Sequence, residues 1–136
     1  MTTWLPAAIL ALFSFGLWGF FSKITIVYID SKSALIYQAI GVMLIGCIAF
    51  WMLDFKTETH IKGVSFGLLT GIAYGLGCFF YLLAADKGKI TTIVTLTALY
   101  PTITIILSYL ILKEAVSLKQ CSGIACALFA IYLMAG

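Results

Sequence analysis

Charge is what this chain has least of. It contains no arginine, eight lysines, five carboxylates and one histidine in 136 residues, so only 10% of its residues are charged. A soluble domain carries about 25%, which excludes an ordinary water-soluble fold. Lysines this few and scattered also exclude a nucleic-acid footprint, which needs clustered basic residues on a solvated face. Asp30, Asp54, Asp86 and Glu114 stand at the ends of apolar runs and Glu58 lies in a polar loop. No Ser/His/Asp or Cys/His set can therefore be assembled within a bilayer, and no central buried carboxylate is present to relay protons. The chain reads as a non-enzyme, without catalytic residues, cofactor or metal. His60 falls in the longest polar loop, where a solvated side chain is the expectation rather than a ligand. Cys47, Cys78, Cys121 and Cys126 all sit inside apolar runs without C-x-x-C spacing and read as small packing residues. The opening Met-Thr-Thr carries no lysine and no A-x-A-like cleavage site follows, so the first apolar run is expected to be a retained span, not a signal peptide.

What fills the chain is apolar: 63% of its residues are hydrophobic and its mean hydropathy is +1.16. A transmembrane helix needs about 20 such residues. Five segments meet or nearly meet that length: 4–21 continuing to about 29, then 34–53, 63–85, 90–112 and the shortest, 118–135. The polar connections between them, DSKS, DFKTETHIK, DKGK and KEAVS, are short enough to force successive helices to lie antiparallel. The fold expected is an all-α integral membrane protein, one domain over 1–136, with five transmembrane helices in an up-and-down bundle.

The third span carries Gly63, Gly67, Gly71 and Gly75 at four-residue spacing, a stripe without side chains along one helix face. In water such glycines weaken a helix, but in lipid the backbone must bond to itself and the helix forms regardless. The stripe is expected to serve helix packing, as small-xxx-small motifs do. The alternative is that part of the groove lines a substrate path, with Thr70 and Tyr74 beside it.

The lysines divide evenly. Lys56, Lys62, Lys113 and Lys119 belong to the face of the N-terminus; Lys23, Lys32, Lys87 and Lys89 belong to the other. Orientation follows the difference in lysine and arginine between the faces, and here there is none to read. Either a small bias or a partner settles one orientation, or the chain inserts both ways up. An odd number of spans sharpens this point, because tandem copies of a five-helix unit are mutually inverted, and many transporters bind substrate between inverted repeats. A lone unit obtains that geometry only by pairing with an oppositely inserted copy or a related small subunit.

Polar groups within the spans are mild. The fourth span carries several threonines, Ser108, Tyr100 and Tyr109, and most of the hydroxyls are expected to bond back to their own helix. Pro101 should kink that helix and free the carbonyl of Thr97, which makes Tyr100–Pro101 a candidate site. Lys23 is interfacial if the first helix ends near Ser22. If the helix runs to Ile29, its ammonium either snorkels to the headgroups or faces a wet cavity. Glu114 is a solvated loop carboxylate or fixes the turn between the fourth and fifth helices.

The stretch TLTALYPTITIILSYLILKEAVSLKQCSGIACALFAIYLMAG, with Pro101, Glu114, Gln120 and Gly123, resembles the closing half of an EamA-like domain of the drug/metabolite transporter superfamily. FGLWGFFSK, with Trp18, Gly19 and Lys23, is similar to that family's first helix. The resemblance implies one EamA-type repeat where the family usually has two, and a transporter of small metabolites or drugs in a bacterial or archaeal inner membrane. It also implies completion by an antiparallel, dual-topology homodimer or a related subunit. Helices 1, 3 and 4 line the cavity in that family, which points to Trp18, Tyr74, Tyr81 and Tyr100; together with Pro101 and Lys23, read from the residues themselves, these are the expected substrate-path residues. Two other readings stay open: a non-transporting membrane subunit, for which the glycine stripe is explained by packing alone, and a subunit of a lipid-carrier flippase.

Overall fold

In the computed structural model, residues 4–113 and 117–135 are described, and Glu114 lies outside them. The described chain is helical: α1 (Trp4–Tyr28), α2 (Ser31–Met52), α3 (Ile61–Lys87), α4 (Ile90–Thr97), α5 (Tyr100–Leu107), a π-helical segment (Ser108–Leu112) and α6 (Leu118–Ala135). α1, α2, α3 and the run Ile90–Leu112 are long and apolar enough to span a bilayer, whereas α6 has a shorter apolar stretch, Cys121–Leu133. The protein is an all-helical integral membrane protein. Its residues form two compact units, Met1–Lys87 and Gly88–Gly136.

In the first unit, helix ends are set by local chemistry. α1 passes through Lys23 to Tyr28, the longer of the two expected lengths. The second helix starts at Ser31, earlier than the expected residue 34, because the polar DSKS run is a capped first turn instead of a loop. Asp30 takes an extended conformation and its carboxylate accepts from the Lys32 and Ser33 amides at 3.0 and 3.2 Å and from the Ser33 hydroxyl at 2.5 Å. These bonds satisfy amides that a helix start otherwise leaves open. They also hold the Asp30 carboxyl below the ordinary carboxylate range, the Ser33 hydroxyl being the largest cause. α2 closes with Asp54 and Phe55 in the left-handed region, at φ 50° and 60°. That turn is held by the Phe55 amide bonding the Phe50 carbonyl at 3.1 Å and by an edge-on contact of the two rings at 5.2 Å.

The buried residues of this unit gather at one end. Gly19 and Ser22 of α1, Ser31 and Ala34 of α2, and Cys78, Tyr81, Leu82 and Ala85 of α3 are buried. They lie near the C-terminal ends of α1 and α3 and the N-terminal end of α2, which are the same end of an up-down-up trio. Small residues there allow the close approach that packing in lipid requires. The opposite halves of the three helices are exposed. The glycine stripe belongs to that open side: a Cβ on Gly67, Gly71 or Gly75 would meet nothing within 4 Å, and one on Gly63 only the His60 Cβ at 3.9 Å. Among the described residues of this unit, none settles into the groove.

In the second unit the fourth span is broken and not merely kinked. α4 ends at Thr97, the Ala98 amide bonds the Val94 carbonyl at 2.9 Å, and the Leu99 amide reaches only three residues back, to Leu96, at 3.2 Å. α5 restarts at Tyr100 with Pro101 in its first turn, where a missing N–H costs no helical bond. The expectation of a proline kink inside a continuous helix is corrected: the chain stops before the ring and begins again around it. Thr95, Thr97 and Thr104 donate back to the carbonyls of Thr91, Ile93 and Tyr100, at 2.7, 2.8 and 3.4 Å. The π segment then ends at Lys113, in the left-handed region at φ 55°. α4 packs against α6.

Candidate functional site

The joined end of α1, α2 and α3 is also where polar side chains meet inside the spans. Trp18 and Ser22 stand four residues apart on α1, and Tyr81 and Ala85 four apart on α3, so each pair shares one helix face. The Trp18 and Tyr81 rings lie 4.6 Å apart between centroids, tilted by 40°, a contact that stabilises by about 0.5–1.5 kcal/mol beyond area burial. One turn further along α1, Ser22 is 1% exposed and its hydroxyl oxygen accepts from Gln38 Nε2 at 2.9 Å. The Ser31 hydroxyl donates to the Leu82 carbonyl at 3.4 Å.

Lys23 donates from Nζ to the Ala85 carbonyl at 2.5 Å. Ala85 lies in the last turn of α3, whose carbonyls have no amide partner further along the helix and form the negative end of its dipole. The ammonium thus ties α1 to the end of α3 by a charge-assisted bond, where simple snorkelling to the headgroups was one expectation.

Three buried polar atoms of the cluster have no hydrogen-bond partner: Trp18 Nε1, Gln38 Oε1 and Tyr81 Oη. Tyr81 is only 5% exposed. Counted at 1.5 Å per residue from the helix ends, Trp18 lies about 15 Å deep and Gln38 and Tyr81 about 10 Å. Unpaired polar groups in such a place are costly and uncommon.

The structure therefore brings together Trp18, Tyr81 and, one turn away, Lys23. Tyr74 shares the α3 face of Tyr81 but is 44% exposed. Tyr100, 63% exposed, and Pro101 belong to the second unit, at the break that opens α5. Ser22 and Gln38 were not singled out from the sequence. The signal for Gln38 was there, an amide inside the apolar run ALIYQAIG, because a polar group within a span marks function by default. Among the described residues no group of three His, Cys, Asp or Glu side chains is placed to hold a metal ion.

Comparison with known proteins decides what kind of molecule this is. The EamA-like transporter family matches residues 2–136. The chain belongs to that family. An uncharacterized protein of Methanocaldococcus jannaschii is 29% identical over 138 residues, which covers 98% of this chain and 97% of the relative. An uncharacterized transporter of Synechocystis is 39% identical over 71 residues, covering 52% of this chain and 21% of that protein. No solved structure matches. This EamA-family chain is thus a membrane transporter by kinship, and the polar cluster lies within the family's transmembrane domain.

Proposed function

We propose that this EamA-family chain carries small metabolites or drugs across a bacterial or archaeal inner membrane by alternating access, working as an antiparallel homodimer of oppositely inserted copies. The observation that carries the reading is the intramembrane cluster of Trp18, Gln38 and Tyr81, with hydrogen-bonding atoms that the chain itself leaves unanswered. A purely structural bundle gains nothing from such groups, whereas a path for a polar solute needs them. Two further features support it. α1, α2 and α3 join at one end and stand open at the other, as alternating access requires of a half-closed unit. The fourth span is broken at Ala98–Leu99, and discontinuous helices are where transporters place their binding sites.

The antiparallel pairing rests on lysines shared four against four between the faces and on the open glycine face of α3, into which a second backbone fits. Trp18, Tyr74, Tyr81, Tyr100, Pro101 and Lys23 line the path in this reading, joined now by Gln38. Purified protein in liposomes tests it: saturable uptake of a small solute is expected, and no uptake of any solute in a broad panel would leave only a packing subunit. Competition between lipid-linked and soluble solutes separates a flippase subunit from a metabolite carrier. A reporter at each terminus that reads both sides of the membrane should give comparable signal on both faces; signal on one face only would refute dual insertion.

A further inference from the structure

The three unanswered atoms differ in chemistry, and that difference selects a ligand. The Trp18 indole N–H only donates, the Gln38 amide oxygen only accepts, and the Tyr81 hydroxyl does either. Each is held by its other contacts. The Trp18 ring lies on Tyr81 at 4.6 Å, the Gln38 amide is tethered through Nε2 to a buried serine at 2.9 Å, and Tyr81 is enclosed. They are thus preset groups and not side chains free to turn toward water. A carboxylate can answer only the donors, and an ammonium only the acceptors. Rotating the Gln38 amide by half a turn would turn an Nε2 donor toward the site instead, and an anion is then disfavoured by charge and not by donor count. The charge of Lys23 is directed onto the Ala85 carbonyl, and Trp18, Ser22, Gln38 and Tyr81 are themselves uncharged, so an ionic ligand held by these groups would be stripped of water without a matching countercharge among them.

We infer that Trp18, Gln38 and Tyr81 form a subsite for a neutral group that both accepts and donates hydrogen bonds, a carboxamide or a hydroxyl; that this group belongs to the transported solute rests on the transport reading above. The aromatic pair beside it suits an apolar or ring-bearing remainder. Sites built to hydrogen-bond a substrate group discriminate strongly against analogues that lack it, because their own polar atoms then stay unpaired. The subsite also explains why Ser22, a buried hydroxyl on the packed face of α1, faces Gln38: it orients the amide.

The test uses the full chain with Trp4 and Trp51 replaced by phenylalanine, so that Trp18 is the sole fluorescent indole. In detergent micelles it is titrated with phenylacetamide, phenylacetate and phenethylamine, which share a ring and differ in carrying a neutral amide, an anion and a cation. A saturable shift of Trp18 emission is expected with phenylacetamide, at an affinity at least about tenfold above the other two, one hydrogen bond being about that factor. Tyr81→Phe, which keeps the ring, and Gln38→Leu should each weaken it at least about tenfold. Equal affinity for the three probes, no saturable shift, or variants that bind phenylacetamide like the parent would overturn the subsite and assign the three atoms to a structural water. Uptake of the broad solute panel into liposomes reads transport separately: specific binding of phenylacetamide with no solute of the panel taken up keeps the subsite and refutes the transport reading, and uptake unaffected by the two variants refutes the subsite alone.

Discussion

Tyr81→Phe offers the sharpest test of the physical argument because it removes one oxygen and little else. The side chain is 5% exposed, its hydroxyl has no partner, and the contact with Trp18 runs through the ring, which phenylalanine keeps. An unsatisfied buried hydroxyl costs about 1–3 kcal/mol. Separated helices also leave that hydroxyl in lipid, which brings the gain toward the lower figure, about 1 kcal/mol. The variant should therefore be more stable without ligand by about 1 kcal/mol, a roughly fivefold shift in the folding equilibrium, while its solute uptake falls. Reversible unfolding by SDS in mixed micelles measures the first quantity and liposome uptake the second. Stability lower than the parent's by a similar amount would show that the hydroxyl is bonded in the membrane-embedded protein, and the cluster would lose its claim to be poised for a ligand.

Four other expectations are independent of it. Lys23→Met removes the charge-assisted bond to the end of α3 and should destabilise the first unit by about 1.5–3 kcal/mol, with Lys23→Arg largely retaining stability in the same SDS titration; a neutral effect of methionine would mean that the bond contributes nothing. Pro101→Ala restores an amide at the start of α5 and lets the fourth span close up, so uptake should fall more than assembly, and an unchanged rate would remove the break from the mechanism. Gly71→Leu adds bulk where no described residue lies within 4 Å; crosslinking should show dimers lost with the protomer still folded, and undiminished dimers would free the stripe from any interface. Asp30 caps α2 as a carboxylate with its pKa lowered below 3.8 by Ser33, so its contribution is complete above the ordinary carboxylate pKa and fades only as the pH falls through the lower folded value. NMR titration of that carboxyl should find it moving up in Ser33→Ala, and no movement would contradict the assignment of cause.

Hydropathy made the spans legible, and where boundaries differ the reason is local. Asp30 turned a polar tetrapeptide into a capped helix start, and Ile61 and Lys87 extended α3 at both ends because the polar residues there are compatible with helix termini. The break around Pro101 was legible as a disturbance but not as a full stop, since a proline's preference for a first turn emerges only once the preceding residues are seen to leave the helix. For the site, Trp18 and Tyr81 were reached through family likeness, while their contact depends on how α1 and α3 cross. Gln38 is harder to read, because a single amide between Tyr37 and Ala39 is neither charged nor part of a periodic pattern. Its meaning came from its neighbour Ser22, sixteen positions earlier in the chain.

The gathering of the described buried residues of the first unit at one end gives it the mechanics of a tripod whose legs share a clamp. From Ser22 to Trp4 the α1 rod extends about 27 Å, so a tilt of roughly 10° at the clamp swings its foot by about 5 Å. A molecule seated between Trp18 and Gln38 would push at the short arm of that lever, and a displacement smaller than a water molecule there would be felt as a widened or narrowed mouth on the far side of the bilayer.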